Sequence, residues 1–438
     1  MSADGLQRSL NWVQIASVGV AIAISGNFSG WNYGLAVGGW GGMFAAALMM
    51  AVLFVGLTQI VGELAAALPS TAGFDGYVRH AVGRTLGSTA GMMLFAGLAI
   101  GSGLAATFIA SYAQSLAGYG AWPAKLGLIV AVSVLQLRGV QDSIRATLVT
   151  GAVAVLALAT FCLAVLPHFS MAKLATAGPQ GSATLFPLGL GGVFACIPFA
   201  LFFFIGVEQA ALAAPEARDV SRTIPKSLVS AVIVALIIGF SVLVLATGVA
   251  GTATLAHVDD PLYAALGANQ HEALPHGLII RLVSIGAIVS LLGTLFSLSY
   301  AASRQCYALA SNHEIAAAFA ATNRHRAPYL ALIAVAAIGA LSAAMPPDVV
   351  MVIFIFLLNL TYQCVIFAFM ALRKREPLLA RPFKSFGGNV LAGVSALLSL
   401  AVLASCVVQQ PLATLVVAAC VGLYLLIGPA MRRVPKVA

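Results

Sequence analysis

Charge is what this sequence has least of: 8% of its 438 residues are charged and 13 are acidic, where a soluble globular chain carries about 25% charge. A water-soluble enzyme of this length is excluded. Long polar stretches are missing too, because 61% of residues are hydrophobic and mean hydropathy is +1.02. Most of the chain has no polar face to turn towards water, so the solvent it is built for is lipid. Cysteine is sparse and scattered. Cys162, Cys196, Cys306, Cys364, Cys406 and Cys420 form no CxxC pair and have no His or acid at ligand spacing, a pattern that supports neither a metal site nor a disulfide framework. No cofactor is implied. A GxxxxGK[ST] loop is absent, so nothing marks an ATP-driven pump. His80, His168, His257, His271, His276, His313 and His325 all fall in loops or at span ends. The clustered His, acids or Cys at membrane depth that an embedded enzyme needs are lacking, and no catalytic residue is assigned. The opening MSADGLQRSLNW leads into an interrupted apolar stretch without a short h-region and small-residue cleavage site, so no removable signal peptide is expected.

What is present is a series of apolar runs. About 20 apolar residues span the hydrocarbon core, and twelve such runs occur, near 12–37, 41–68, 87–117, 122–137, 144–167, 188–213, 226–250, 277–302, 328–345, 348–372, 389–408 and 411–430. The net charge of +9 lies in short loop clusters rather than along a helix face, which does not point to nucleic acid. It reads as a topology signal. With the N-terminus inside, nineteen cations fall on the inner side, including Arg8, Arg79, Arg84, Arg218, Arg373, Arg375, Arg381, Arg432, Arg433 and Lys436; only Lys125, Lys173 and Arg281 fall outside. That bias predicts twelve spans in the cytoplasmic membrane, with both termini (1–11 and 431–438) cytoplasmic. Trp12, Trp31, Trp40 and Trp122 sit near span ends, as an interfacial aromatic belt requires.

Two spans are interrupted. In the first, the apolar run gives way to Ser25-Gly26-Asn27-Phe28-Ser29-Gly30-Trp31-Asn32, too polar and Gly-rich for ordinary helix in lipid. Backbone freed from its ladder at that depth has to line a cavity or be buried in protein. In the sixth, Phe202-Phe203-Phe204-Ile205-Gly206-Val207-Glu208 sets a flexible Gly beside an ionisable Glu near mid-span. The spacing of the breaks predicts a five-plus-five inverted repeat, residues 12–167 and 188–372, with 389–430 appended. Interrupted helices in corresponding positions of two halves mark a transporter's central site.

At these residues the sequence resembles the amino acid, polyamine and organocation permease superfamily. Gly62-Glu63-Leu64-Ala65-Ala66-Ala67-Leu68-Pro69 with Gly73 and Tyr77 resembles its second helix and first inner loop. Arg138-Gly139-Val140 resembles the start of its fifth helix, and Phe204-Ile205-Gly206-Val207-Glu208 with Glu216, Arg222, Ile224 and Pro225 resembles its sixth. The resemblance implies an all-α membrane protein of the LeuT-like fold with discontinuous helices 1 and 6. Ile24 to Asn32 followed by Gly38-Gly39-Trp40-Gly41-Gly42 looks most like the ethanolamine-permease branch. That branch carries an Asp where Asn27 stands and an acid on the third helix, where this chain has Gly97, Gly101, Ser102 and Gly103. The fifth-helix Lys of many members aligns near Ala154 and is absent.

These observations give the expected site. Carbonyls exposed by the unwound segments take the substrate's ammonium, because half-helix C-terminal ends are electronegative. Ser25, Gly26, Asn27, Phe28, Ser29 and Gly30 form one wall and Phe202, Ile205 and Gly206 the other, with the Phe202 ring as a cover for the ammonium. Glu208 is the coupling group, since an acid at mid-depth is unfavourable unless protonated, paired or facing water; the alternative is a brace across the break. Ser102, Phe203, Ser297, Ser299 and Asn359 are further lining candidates, and Ser290 and Thr294 with Ser297 and Ser299 are candidate sodium ligands. Glu63 is expected to hold the loop containing Arg79 and Arg84. The function expected is a proton-coupled secondary carrier of an amino acid or related small amine, with sodium coupling left open. An ethanolamine, amino-alcohol or polyamine permease or exchanger is the alternative, and an uncoupled channel or receptor a more distant one.

Overall fold

In lipid every backbone polar group has to find its partner within the protein, and the chain meets that demand with helix. The computed structural model describes residues 11–68, 73–118, 121–139, 143–177, 183–217, 219–268 and 276–431. Arg8, Pro69, Val140, Arg218, His271, Arg432, Arg433 and Lys436 lie outside the described residues. The helices are α1 (Trp12–Ile24), α2 (Tyr33–Ala67), α3 (Phe74–Ala81), α4 (Arg84–Ala117), α5 (Ala121–Leu137), α6 (Ser143–Val165), α7 (Gly189–Leu201) and α8 (Val220–Ala250). They continue with α9 (Thr252–Leu255), α10 (Pro261–Gly267), α11 (His276–Ser311), α12 (Tyr329–Ala343), α13 (Pro347–Arg375), α14 (Gly388–Gln409) and α15 (Pro411–Met431).

Each of the twelve predicted apolar runs contains helix. Among the described residues eight helices are long and apolar enough to cross a membrane, and α1, α5, α7 and α12 are shorter apolar ones. α1 and α7 are short because the two predicted breaks cut them. Among the described residues the strands are β1 (Thr176–Ala177) and β2 (Ala183–Thr184), which pair antiparallel in the connection between α6 and α7.

The boundary between the first two predicted spans is tighter than the sequence suggests. α2 runs on across Gly39, whose φ of 69° and ψ of −176° break the helical path; a side chain there would be strained. Residues 33–38 thus continue the first predicted span beyond its break and are joined to the second by one residue. The neighbouring glycines let α7 close in, and a Cβ on Gly38 would run into the Cys196 sulfur and the Gly192 carbonyl.

α4 lies at the centre, packed on α11, α13, α12 and α5, while α2 packs on α7 and α8, and α1 on α8 and α6. Small residues set these approaches. A Cβ on Gly101 would meet the Phe354 ring at 2.6 Å, and one on Gly103 would run into Ser342 and the Gly339 carbonyl of α12. Gly101 and Gly103 of α4 are therefore helix contacts. At the N-terminal end of α1 a groove of about 380 Å³, walled by apolar residues of α1, α6 and α8 such as Val13, Val155 and Val234, runs along the bundle.

Ion pairs gather at one end of the bundle. Buried Glu63 accepts from Arg373 at 3.0 and 2.6 Å and from the Ser385 amide at 2.8 Å, with Arg381 at 3.2 Å. Buried Glu314, just past α11, pairs with Arg79 at 3.1 Å and Arg84 at 2.9 Å. The expected link from Glu63 to the loop of Arg79 and Arg84 is thus corrected: Glu63 ties α2 to α13 and the segment after it, and Glu314 holds Arg79 and Arg84. Both acids are buried where several arginines converge, which sequence separation hid.

Candidate functional site

The first break follows from its side chains. Ser25 Oγ donates to the Ile22 carbonyl at 2.7 Å and Asn27 Nδ2 to the Ile24 carbonyl at 3.2 Å, the local bonding by which short polar residues compete with the helical ladder. After α1 the chain tightens to a 3₁₀ turn at Ser25–Asn27 and turns until helix resumes at Tyr33. Backbone groups so released find other partners. The Tyr112 hydroxyl of α4 donates to the Phe28 carbonyl at 2.7 Å, and Trp31 Nε1 to the Asn27 carbonyl at 3.1 Å. Asn32 Nδ2 bonds the Leu255 and Val258 carbonyls, both at 2.7 Å, pinning the α9 segment onto the break.

The second break begins where α7 ends at Leu201, three residues after Pro198. The chain turns through 202–206 and goes on as a 3₁₀ helix, Val207–Glu216. Gly206, at φ 107°, supplies the left-handed conformation that side chains avoid. Its amide donates to Glu208 Oε2 at 2.9 Å.

The two breaks face each other. A Cβ on Gly26 would stand 2.6 Å from the Phe202 carbonyl oxygen, and one on Gly206 would run into Ile22. Beside this contact is a cavity of about 40 Å³, walled by Ile22, Ser25, Gly26, Phe202 and Ile205 from the breaks. Gly101, Leu104, Ala105 and Phe108 of α4, Leu291, Thr294 and Leu298 of α11, and Phe354 of α13 complete it. The Phe202 ring meets the rings of Phe108 and Phe354 edge-on, with centroids 6.4 and 6.2 Å apart. Such T-shaped contacts are favourable because positive ring edges meet negative faces.

Of the expected residues, Ser25, Gly26, Phe202 and Ile205 come together in this wall. Gly30 lies behind it, against the Phe202 ring and Met351. Asn27, Phe28 and Ser29 are fully buried in the break; Asn27 Oδ1 and Ser29 Oγ have no hydrogen-bond partner, and Asn27 Oδ1 lies close to Gly239 of α8. Phe203 is not in the wall and stacks on Trp31 at 5.9 Å. Glu208 is fully buried and away from the cavity wall, with Oε1 accepting from the Tyr362 hydroxyl at 2.7 Å and Gln209 Nε2 at 3.1 Å. Ser102 bonds the Ala99 carbonyl at 2.7 Å and faces Gly339 of α12. Asn359 donates to the Ser399 carbonyl of α14 at 2.7 Å. Ser297 is half-buried and Ser299 buried, neither in the wall; of the hydroxyls on α11, Thr294 reaches it.

Sequence reasoning missed Phe108, Phe354, Tyr112 and Tyr362, since an aromatic ring in an apolar run carries no mark of which way it faces. It also missed Asp259 and Asp260, adjacent acids in an otherwise acid-poor chain, which was a usable signal. Asp259 accepts from the Tyr33 hydroxyl at 2.5 Å. Asp260 is 7% exposed; burial pushes its carboxyl above the usual carboxylate range, with the Ser115 and Ser111 hydroxyls opposing and Asp259 reinforcing the shift.

A bundle of apolar helices, two of them broken in contact with one another beside an internal cavity, defines a multi-pass membrane protein. The chain belongs to the amino acid permease family, whose profile matches residues 10–427, and so to the amino acid, polyamine and organocation superfamily. It is similar to the branched-chain amino acid permease of Bacillus subtilis (strain 168), 23% identical over 62% of this chain and 56% of that one. A probable GABA permease of Pseudomonas aeruginosa is 26% identical over 78% and 71% of the two chains. The L-asparagine permease of Salmonella typhimurium is 26% identical over 50% and 46%. The matched region thus spans about half the length of the first and third of these relatives.

Proposed function

We propose that the protein is a secondary active carrier that moves an amino acid or related small amine across the cytoplasmic membrane by alternating access. In this reading it has twelve spans arranged as a five-plus-five inverted repeat with two helices appended. The observation that carries the proposal is the direct contact of the two breaks, Gly26 on Phe202 and Gly206 on Ile22. Substrate entering between them would separate the two half-spans, and that is how a central site couples occupancy to rearrangement. The ammonium docks on the carbonyl-rich ends of α1 and α7, under the Phe202 ring. That the named relatives are a branched-chain amino acid permease, a probable GABA permease and an L-asparagine permease supports an amine-bearing solute.

Glu208 is the proposed proton-coupling group. It is bonded to Tyr362 of α13 and to the Gly206 amide at once, so a change in its protonation alters a link between the second break and the helix opposite. The test is uptake by the purified protein in liposomes, using labelled leucine, asparagine, 4-aminobutyrate and ethanolamine at several inside and outside pH values, with and without sodium. Accumulation driven by an inward proton gradient and lost in Glu208→Gln is expected. Accumulation that keeps its pH dependence in that variant would reduce Glu208 to a brace.

A further inference from the structure

We propose that Asp260, together with the hydroxyls of Ser29 and Tyr112, forms an outer cation subsite that receives the substrate's ammonium before it passes the Phe202 ring. The proposal takes its occupant from the transport reading above and adds an anchoring group that no part of that reading uses.

The placement comes from α4. Phe108, Ser111, Tyr112 and Ser115 are spaced three, four and seven residues apart, so they lie along one face of the helix. Phe108 lines the cavity, and the Ser111 and Ser115 hydroxyls act on the Asp260 carboxyl. At about 1.5 Å of rise per residue, Asp260 therefore stands roughly 5–10 Å from Phe108, towards the C-terminal end of α4. Tyr112 connects the two levels. Its hydroxyl donates to the Phe28 carbonyl in the first break at 2.7 Å and lies near Ser29 and the backbone of Leu262, two residues beyond Asp260.

The polar groups there are incompletely matched. Asp260 Oδ2 and Ser29 Oγ are buried without a hydrogen-bond partner, although Asp260 is 7% and Ser29 0% exposed. Ion pairs of the described residues use Glu63, Glu314 and Glu376, and none involves Asp260. Neighbouring Asp259 is already occupied by Tyr33. A buried carboxylate without a counter-charge is unfavourable, and an arriving ammonium supplies both the charge and the donors. Asp260 thus brings an acid to this level from the connection between α8 and α11.

The subsite is tested by thermal unfolding of the purified protein titrated with leucine, asparagine, 4-aminobutyrate and ethanolamine, alongside uptake in liposomes. Stabilisation by at least one of these amines is expected, with Asp260→Asn requiring about ten times the concentration and raising KM about tenfold while the maximal rate stays within twofold. Asp260→Glu is expected to recover most of the affinity, and Asp259→Asn to leave it within threefold. Binding of 4-methylpentanoate, which is leucine without its ammonium, should be the same in wild type and Asp260→Asn. Should Asp260→Asn fail to fold, Ser115→Ala carries the test with an expected threefold rise in KM. Equal concentration dependence in wild type and variant overturns the subsite, as does stabilisation by none of the amines. Amine-dependent stabilisation that needs Asp260, without accumulation by the wild type, would overturn the transport reading alone.

Discussion

Gly26 shows how much one residue can carry. Its missing side chain lets the Phe202 carbonyl approach to a distance no Cβ tolerates, so Gly26→Ala must push the two breaks apart. Overpacking of this kind costs about 1–3 kcal/mol, and the variant is expected to melt several degrees lower and take up substrate at less than a tenth of the wild-type rate. Phe202 is a separate case, because it presents a ring to the cavity. Phe202→Ala is expected to raise KM about tenfold, in keeping with about 1 kcal/mol or more for a desolvated cation on an aromatic face, and to lower the melting temperature because the contacts with Phe108 and Phe354 are lost; Phe202→Leu, which keeps apolar bulk without the ring, is expected to show the KM effect with a smaller loss of stability. At this scale the sequence was legible where chemistry was out of place: Ser25, Gly26 and Glu208 stand out against apolar neighbours. Phe108 and Phe354 do not, since nothing local separates a ring facing the cavity from one facing lipid. Ser102 and Asn359 misled for the opposite reason, as their polar groups fasten helices together.

Among the elements, α3 shows the effect of burying a charge in a short connecting helix. Asp75, in its first turn, is 3% exposed, and burial raises its carboxyl to about 6 against the opposing pull of Gln305 and Arg79. The folded state therefore binds this proton more tightly than the unfolded chain does. Stability falls as pH rises through the window from about 4 to 6, and at pH 7 the ionised group costs roughly 3 kcal/mol. Asp75→Asn is expected to raise the melting temperature at pH 7 and to leave it nearly unchanged at pH 4; an equal shift at both values would show that the charge is not the cause. The existence of the long helices was readable from apolar run length alone. The continuity of α2 across Gly39 was not, because it depends on how closely α7 packs, and neither was the small β1–β2 ladder, whose four residues make too short a pattern.

For the whole molecule, the cavity is the limiting dimension. About 40 Å³ accommodates roughly three waters, whereas pockets for small ligands start at roughly 300 Å³. The described arrangement is tight around this cavity, and in the proposed reading the bundle has to open for substrate to enter. The ends are held differently. Glu63 and Glu314 gather four arginines where α2, α3, α11 and α13 meet, and Asn32, Tyr33 and Tyr112 hold the other end with neutral donors. Glu314→Gln is expected to weaken the charged end selectively, seen as faster labelling of a cysteine introduced at Ser25 by a reagent added from that side, with labelling from the opposite side unchanged. The crowding of basic residues at one end was foreseeable from loop composition. Which acid meets which arginine was not, since Arg79 and Glu314 are separated by most of the chain.

The turn at Gly39 has a mechanical consequence. Residues 33–38 are joined to the rest of α2 by a single residue and cannot swing far without levering that helix, whereas α1 is held at Trp12 by α8, through the Ser227 hydroxyl at 2.9 Å and Lys226 over its ring, beside the groove it shares with α6 and α8. A tilt of α1 would change the width of this largely apolar groove, which in a bilayer would take acyl chains, so in the proposed cycle opening at that end would do work against the lateral pressure of the bilayer. Bilayers with higher pressure among their tails, such as those rich in phosphatidylethanolamine, should slow that opening and leave the other untouched. The lipid around this protein would then set the pace of one half of its cycle.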